Sequence, residues 1–356
     1  SAFHPLRSFA AAVPRHEQDP PTIVRKPFVV TYRDMGRLKS IDMIRGLAAT
    51  AVVFHHSHGQ SSIGKIGVDF FFVVSGFVIF HSAQGRSAAE FLGARFWRIF
   101  PLYWIAVIPW LVISFVRHEM DGPHLAEQIL LAPLWWTSNV PLLFLAWTLT
   151  FECLFYTAAA VSIQIRTVLP ALGLFAVAAM GWGAGLSHRL MWLGNPMILE
   201  FIMGILVALA PRNRLAGAIA MAGGLAWLML FPTTSYSMEF RDFTAACGRV
   251  LLWGIPAALI VYGAVTFERH LSGRIVVALC GVGTASYSIY LFHPLIADVI
   301  INVWWPLKFI GAFSLGVAAW AFFERPIARW RPLPLANWHL AFARLRPIVL
   351  NRQNER

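Results

Sequence analysis

Apolar runs about as long as a bilayer is thick recur down this chain, separated by short polar and basic stretches. At that period the pattern predicts spans near 40–58, 67–83, 99–116, 141–165, 168–187, 194–210, 215–231, 249–266, 276–302 and 306–323. Each is expected to be a helix, because a lipid-facing segment must satisfy its backbone internally. The runs do not alternate apolar and polar residues as barrel strands do. The expected fold class is therefore all-α, a polytopic membrane protein with about ten transmembrane helices. A shorter segment near 124–136 is expected to lie at the interface or re-enter the membrane. One membrane domain covers 40–325, between basic tails at 1–39 and 326–356, with no internal repeat and no inverted pair of broken spans.

Composition agrees with this picture. Apolar residues make up 58% of the chain and charged ones 13%, and the mean hydropathy is +0.63. The net charge of +12 would fit a nucleic-acid binder if it lay on one soluble face, but it follows the span pattern instead. With ten spans both tails lie on one side, and 22 of the 29 lysines and arginines fall there, in the tails and the loops of that face. The positive-inside rule makes that face cytoplasmic, with the tails against anionic lipid and no nucleic-acid partner. Residues 1–39 hold scattered charges and no apolar core, so no signal peptide is expected. Cys153, Cys247 and Cys280 are widely spaced and suggest neither a disulfide framework nor a metal site.

The chemistry lies in the polar residues that interrupt the spans, since an ionisable group at membrane depth asks for a role. Span one carries Asp42, Arg45, His55 and His56. Eleven steps take Arg45 to His56, about 1100° of helix, so the two share a face roughly 16 Å apart, while His55 points elsewhere. Asp42, three residues before Arg45, can pair with it. Span two opens as GVDFFFVVSGF, where Asp69 meets the favourable end of the helix dipole and Gly67 and Gly76 permit close helix approach. Arg95 and Arg98, three apart in FLGARFWRIFPLYW, present paired guanidinium forks that suit phosphate, or simply anchor the loop beside its aromatic neighbours. Glu152 lies inside span four, in LAWTLTFECLFY, with no cation in its own span. Its partner is expected from another helix, His56 or Arg45, and Tyr156 one turn on can hydrogen-bond to it. In span nine, Tyr287, Tyr290 and His293 make a polar stripe, and Pro294 frees a backbone carbonyl. Salt-bridged and hydrogen-bonded packing would explain each group taken singly. No zinc-ligand spacing, P-loop or nucleophile elbow occurs, and no metal is expected.

Taken in order, IRGLAATAVVFHH (44–56), GVDFFFVVSGF (67–77), RFWRIFPLYW (95–104), WTLTFECLFY (147–156) and the looser SYSIYLFHP (286–294) resemble the acyltransferase-3 family of bacterial membrane proteins, nearest its ExoZ-like branch associated with exopolysaccharide acetylation. The resemblance implies a membrane O-acetyltransferase that moves an acetyl group from cytoplasmic acetyl-CoA, or another acyl-CoA, to a sugar hydroxyl of an envelope or secreted glycan or lipid-linked saccharide. No permanently bound cofactor is implied. The family's Arg–ten residues–His pattern falls on Arg45 and His56, its Arg-x-x-Arg pattern on Arg95 and Arg98 as donor-binding residues, and its span-four Glu on Glu152. This chain reads WTLTFE where commoner members read WSLSVEEQ, and a long extracytoplasmic domain like that of some relatives is not expected.

The mechanism expected from this has His56 as general base, Glu152 fixing its tautomer, and Arg45 beside the donor phosphates or the cavity floor. An acyl-histidine intermediate is equally allowed. Asp69, Trp147, Tyr156, Tyr287, Tyr290 and His293 are the expected substrate-pocket residues. A transporter or flippase would also place Arg, His and Glu at depth, though usually with inverted repeats. A non-catalytic scaffold for polysaccharide assembly is the third class. Acetyl-CoA binding separates the enzyme from both.

Overall fold

The computed structural model describes residues 37–59, 62–117, 142–166, 195–231, 243–300 and 303–330. Among these, every regular element is a helix and there is no strand. They are α1 (Lys39–Ser57), α2 (Ser62–Ala83), α3 (Ala88–Val116), α4 (Ala146–Ile165), α5 (Ile198–Leu209), α6 (Arg214–Leu230), α7 (Phe243–Thr266), α8 (Arg274–Phe292), the short α9 (Pro294–Ala297) and α10 (Trp305–Arg329). Six of these, α2, α3, α4, α7, α8 and α10, are long and apolar enough to cross a membrane. Span one does form a helix, α1, but Asp42 and Arg45 make it more polar than those six. Spans six and seven form α5 and α6, of 12 and 17 residues. The expected span at 168–187, the 124–136 segment and nearly all of both tails lie outside the described residues.

Two boundaries differ from the hydropathy reading. The run carrying Arg95 and Arg98 is not a loop; it is the opening of α3, which begins at Ala88 behind a capping box made by Ser87 and Glu90. Hydropathy underrates such a start because its arginines mask a good helix-forming stretch. Span nine stops at Phe292, ten residues early, because Pro294 cannot continue the backbone ladder.

The centre of the bundle is a row of close-packed helices, with α1 between α2 and α8, α5 beyond α2, and α10 beyond α8. Glycines set these distances. A Cβ on Gly283 of α8 would sit 1.9 Å from the Asp42 carbonyl oxygen of α1, and one on Gly76 of α2 would sit 2.0 Å from that of Phe201 in α5. Only glycine lets the backbones approach that far, which brings the polar faces of α1, α2 and α8 together. Two π-helical turns interrupt the outer helices, Val250–Gly254 in α7 directly after Arg249, and Trp320–Glu324 in α10. Such turns widen the ladder by one residue and re-aim the side chains around them.

The start of α1 is tied down from a distant loop. Glu268 accepts hydrogen bonds from the backbone N–H groups of Lys39 (2.8 Å) and Ser40 (2.9 Å), two donors that no preceding turn can satisfy. Glu268→Ala is expected to lower stability by about 1 kcal/mol, the usual worth of a helix cap. A fall of a few degrees in Tm with Glu268→Gln close to wild type would show this.

Candidate active site

Three cavities follow one another along α1. At its arginine end a cleft encloses about 2020 Å³ of space between atoms, the solvent at its mouth included. Seven arginines line it (Arg37, Arg45, Arg86, Arg95, Arg98, Arg325 and Arg329) against two carboxylates, Asp42 and Glu324. Both carboxylates are engaged: Asp42 takes Arg37, and Glu324 accepts from Ser288 Oγ at 2.5 Å. Asp42 therefore pairs with Arg37 and not with Arg45, the partner its spacing suggested. Neither Arg45 nor Arg98 forms a salt bridge or hydrogen bond among the described residues, and both project into the space beyond. The cleft is strongly positive with unspent donors, which is what an anion needs.

Arg45, Arg95 and Arg98 also line the second cavity, an inner chamber of about 750 Å³. Arg95 is packed here against the rings of Phe91 and Tyr156, its guanidinium carbon 5.3 and 5.4 Å from their centroids, and it donates to Ser82. Glu152 faces the chamber from α4, accepting from Tyr156 Oη at 2.6 Å, as the one-turn spacing suggested, and from Ser75 Oγ at 3.3 Å. Tyr287 lines the chamber while its hydroxyl donates to the Ile99 carbonyl (3.0 Å). Tyr290 and Thr148 share a hydrogen bond of 2.8 Å across the chamber's far wall.

Beyond that wall, Val68 and Tyr290 belong both to the chamber and to a third cavity at the histidine end, about 760 Å³ and bordered by His55, His56, Lys65, Trp147 and Arg249. His56 Nδ1 lies 3.2 Å from Asp298 Oδ1, in the segment after α9. A carboxylate there holds the proton on Nδ1 and leaves Nε2 as the basic nitrogen. His293 is fully buried; its Nδ1 donates to the Ile289 carbonyl (3.1 Å) and its ring stands 5.0 Å from that of His56.

The pairing of His56 with Glu152 expected from sequence does not form. The two line different cavities, and Asp298 occupies the place expected for Glu152. Glu152 shares the inner chamber with Arg45 and Arg98 and does not line the histidine-end pocket. Asp69 is likewise no part of the three cavities. It is wholly buried and held in a fork by Arg249, with Nε–Oδ1 at 2.8 Å and Nη2–Oδ2 at 2.9 Å. The reason is that α2 begins at Ser62, so Asp69 lies two turns inside the helix, where a carboxylate needs a cation more than it needs the dipole. Trp147, Tyr287 and Tyr290 do line the cavities, whereas Tyr156 and His293 stand behind Glu152 and His56. Asp298, Arg249, Glu200 and Glu324 were not singled out from sequence. Glu200 gave a signal there, being a carboxylate within the apolar run ILEFIMGILVAL; it packs beside Gly254 next to the Asp69–Arg249 pair.

Helices of membrane-spanning length around buried charges, with an imidazole and a carboxylate at one end and a cluster of arginines at the other, define an integral membrane protein with an enzyme-like interior. More specifically, the chain belongs to the acyltransferase-3 family, whose acyltransferase domain matches residues 38–323, and it is an acyltransferase. It is 29% identical over 300 residues to the exopolysaccharide production protein ExoZ of Rhizobium meliloti, covering 75% of this chain and 90% of that protein. It is similar to the putative membrane-bound transacylase BcsY of Komagataeibacter xylinus, 28% identical over 80% of this chain and 78% of the relative. It is also similar to the peptidoglycan O-acetyltransferase OatA of Listeria monocytogenes, 25% identical over 84% of this chain and 60% of that longer protein. No solved structure matches it.

Proposed function

We propose that this protein is an O-acyltransferase of about ten transmembrane helices that carries an acyl group, acetyl in the first instance, from cytoplasmic acyl-CoA to a sugar hydroxyl of an envelope or secreted polysaccharide. The observation that carries this reading is the continuity of the three cavities, each sharing residues with the next, from a cleft of arginines to a carboxylate-oriented histidine. The relatives named for exopolysaccharide production and peptidoglycan O-acetylation support the class of acceptor. In this reading the arginine face is cytoplasmic, in a bacterial inner membrane, with both basic tails on that side against anionic lipid.

The CoA phosphates sit in the cleft, where Arg45 and Arg98 have donors to give, and the pantetheine arm carries the thioester into the chamber. The acceptor enters at the histidine end and lays its ring against Trp147. His56 Nε2 takes the proton as the sugar oxygen adds to the thioester carbonyl, and Asp298 stabilises the imidazolium. The C–S bond then breaks, the leaving sulfur takes the proton back from His56, and the products are the sugar ester and free CoA.

The deciding experiment uses purified protein in lipid nanodiscs with labelled acetyl-CoA and polysaccharide from the source cells. Label appearing in alkali-labile ester on the polysaccharide, together with a CoA-dependent rise in Tm, supports the reading. A protein that neither binds CoA nor transfers label is a transporter or scaffold. Arg45→Ala and Arg98→Ala are each expected to raise the KM for acetyl-CoA by about 10- to 100-fold, the worth of a charge-assisted hydrogen bond. Unchanged KM values would reassign the pair to anchoring.

A further inference from the structure

Ser286 of α8 is fully buried, lines the inner chamber, and has no hydrogen-bond partner for its hydroxyl. A helical serine commonly gives its hydroxyl to the carbonyl four residues back; Ser40 and Ser57 of α1 are also without a partner, but neither lines one of the three cavities. Other helical hydroxyls of this protein use that carbonyl: Thr50 on Gly46, Thr157 on Cys153, Ser162 on Ala158, and Thr284 on Cys280, the last only two residues away in the same helix. Ser288, two residues on, gives its hydroxyl to Glu324. The other hydroxyls of the chamber are also occupied: Ser75 on Glu152, Tyr287 on the Ile99 carbonyl, and Thr148 and Tyr290 on one another. Ser286 alone among them holds an unused O–H in the chamber, and a buried polar group without a partner asks for an explanation.

We propose that Ser286 Oγ–H is the donor that binds the thioester carbonyl oxygen of acyl-CoA and stabilises the charge developing there during transfer. The proposal rests on the acyl-transfer reading above. Ser286 and His293 are seven residues apart, about 700° of helix, so they share a face of α8 with ~10 Å of rise between them. His293 in turn meets His56 edge-on, ring centroids 5.0 Å apart. A reacting row from Oγ–H through the carbonyl and the incoming hydroxyl to Nε2 needs about 9 Å. That is ~2.8 Å for each of two hydrogen bonds, ~1.2 Å for the carbonyl and ~2–3 Å for the attacking oxygen. Ser286 lines the chamber and His56 the pocket beyond it, and the two cavities meet at Val68 and Tyr290. Tyr290, one turn above Ser286 and shared by chamber and outer pocket, stands beside the place where that row crosses.

In the step itself the acceptor oxygen forms a bond to the carbonyl carbon, its proton passes to His56 Nε2, and the carbonyl π pair moves onto the oxygen facing Ser286. Collapse of that alkoxide restores the C=O, breaks the C–S bond and sends the thiolate out, which is protonated by His56. Ser286 is not consumed. Its hydrogen bond is stronger to the alkoxide than to the neutral carbonyl, so its effect appears in kcat and not in donor binding.

The test measures thiol release from acetyl-CoA by the purified full chain in nanodiscs. The acceptor is polysaccharide extracted from source cells carrying His56→Ala, which would lack the modification. Ser286→Ala is expected to lower kcat by ~10²–10³-fold, as removal of one oxyanion donor does, with the acetyl-CoA KM and Tm unchanged, and Ser286→Thr, which restores a hydroxyl, is expected to recover most of the rate. Ser286→Ala retaining kcat within about twofold would overturn the assignment while leaving acyl transfer intact. A loss of rate matched by a fall in Tm, and not recovered by threonine, makes Ser286 a packing residue and also overturns it. Wild-type protein that releases no thiol fails earlier, and rejects the acyl-transfer reading together with the donor role.

Discussion

His56→Ala is expected to remove acyl transfer, with kcat falling by about 10²–10⁴-fold while the protein still inserts, folds and binds acetyl-CoA. The imidazole stands at the histidine end, away from the seven arginines of the cleft, so its loss leaves the donor cleft untouched. The companion substitutions separate two assignments of its carboxylate. Asp298→Asn keeps the shape of the Nδ1 contact but removes the charge that stabilises the imidazolium, and it is expected to lower kcat at unchanged acetyl-CoA KM. Glu152→Gln, which leaves a neutral group beside Tyr156 and Ser75, is expected to act on the donor side, through KM, because Glu152 shares its chamber with Arg45 and Arg98. The measurement is initial rate against acetyl-CoA concentration for the three variants. Normal transfer by His56→Ala would remove the general base from the proposal, and a kcat effect of Glu152→Gln equal to that of Asp298→Asn would return Glu152 to the side of the histidine.

The largest expected effect on stability is at Asp69. Its carboxylate is wholly buried and gripped by two nitrogens of Arg249, and Glu200, also wholly buried, lies alongside. Asp69→Ala strips the guanidinium of its fork partner in a dry setting, a change that typically costs about 3–5 kcal/mol. The expected result is a collapse in the yield of monodisperse protein on detergent extraction, with a Tm lowered by many degrees in what remains. Asp69→Asn, whose amide oxygen can still accept from one guanidinium N–H while its NH2 faces the other as a second donor, is expected to fall between that variant and wild type. Asp69→Ala protein with wild-type Tm but no activity would reverse the assignment and make Asp69 a substrate residue. The pin also bears on the site, because Arg249 borders the histidine-end pocket, 6.0 Å from the Trp147 ring. Fixing the guanidinium on α2 holds one wall of the acceptor entrance still.

Much of the site was legible wherever its geometry is local to one helix. Arg45 and His56 each line a cavity along α1, as eleven residues of regular helix require. Tyr156 meets Glu152 one turn away, and Gly67 and Gly76 admit neighbouring helices, Gly67 against the Ala48 carbonyl and Gly76 against Phe201. What could not be read was which polar group on one helix meets which on another. His56 and Asp298 are 242 residues apart, and Asp69 and Arg249 are 180 apart. Sequence offered Glu152 for His56 because it was the intramembrane carboxylate in the recognisable motifs, and nothing in one dimension ranks it below Asp298.

From its sequence alone the protein is an all-helical membrane chain, with an arginine and a histidine on one stripe of its first helix. These properties follow from hydrophobicity and from a period of about 3.6 residues, both of which act locally. The tertiary structure alone decided that the histidine answers to Asp298, that Asp69 belongs to a buried pin, that Glu152 stands with the arginines, and that Ser286 is left facing the chamber. Those choices depend on how far each helix slides and turns against its neighbours. Glycine contacts and π turns set that, and neither leaves a periodic mark in the sequence.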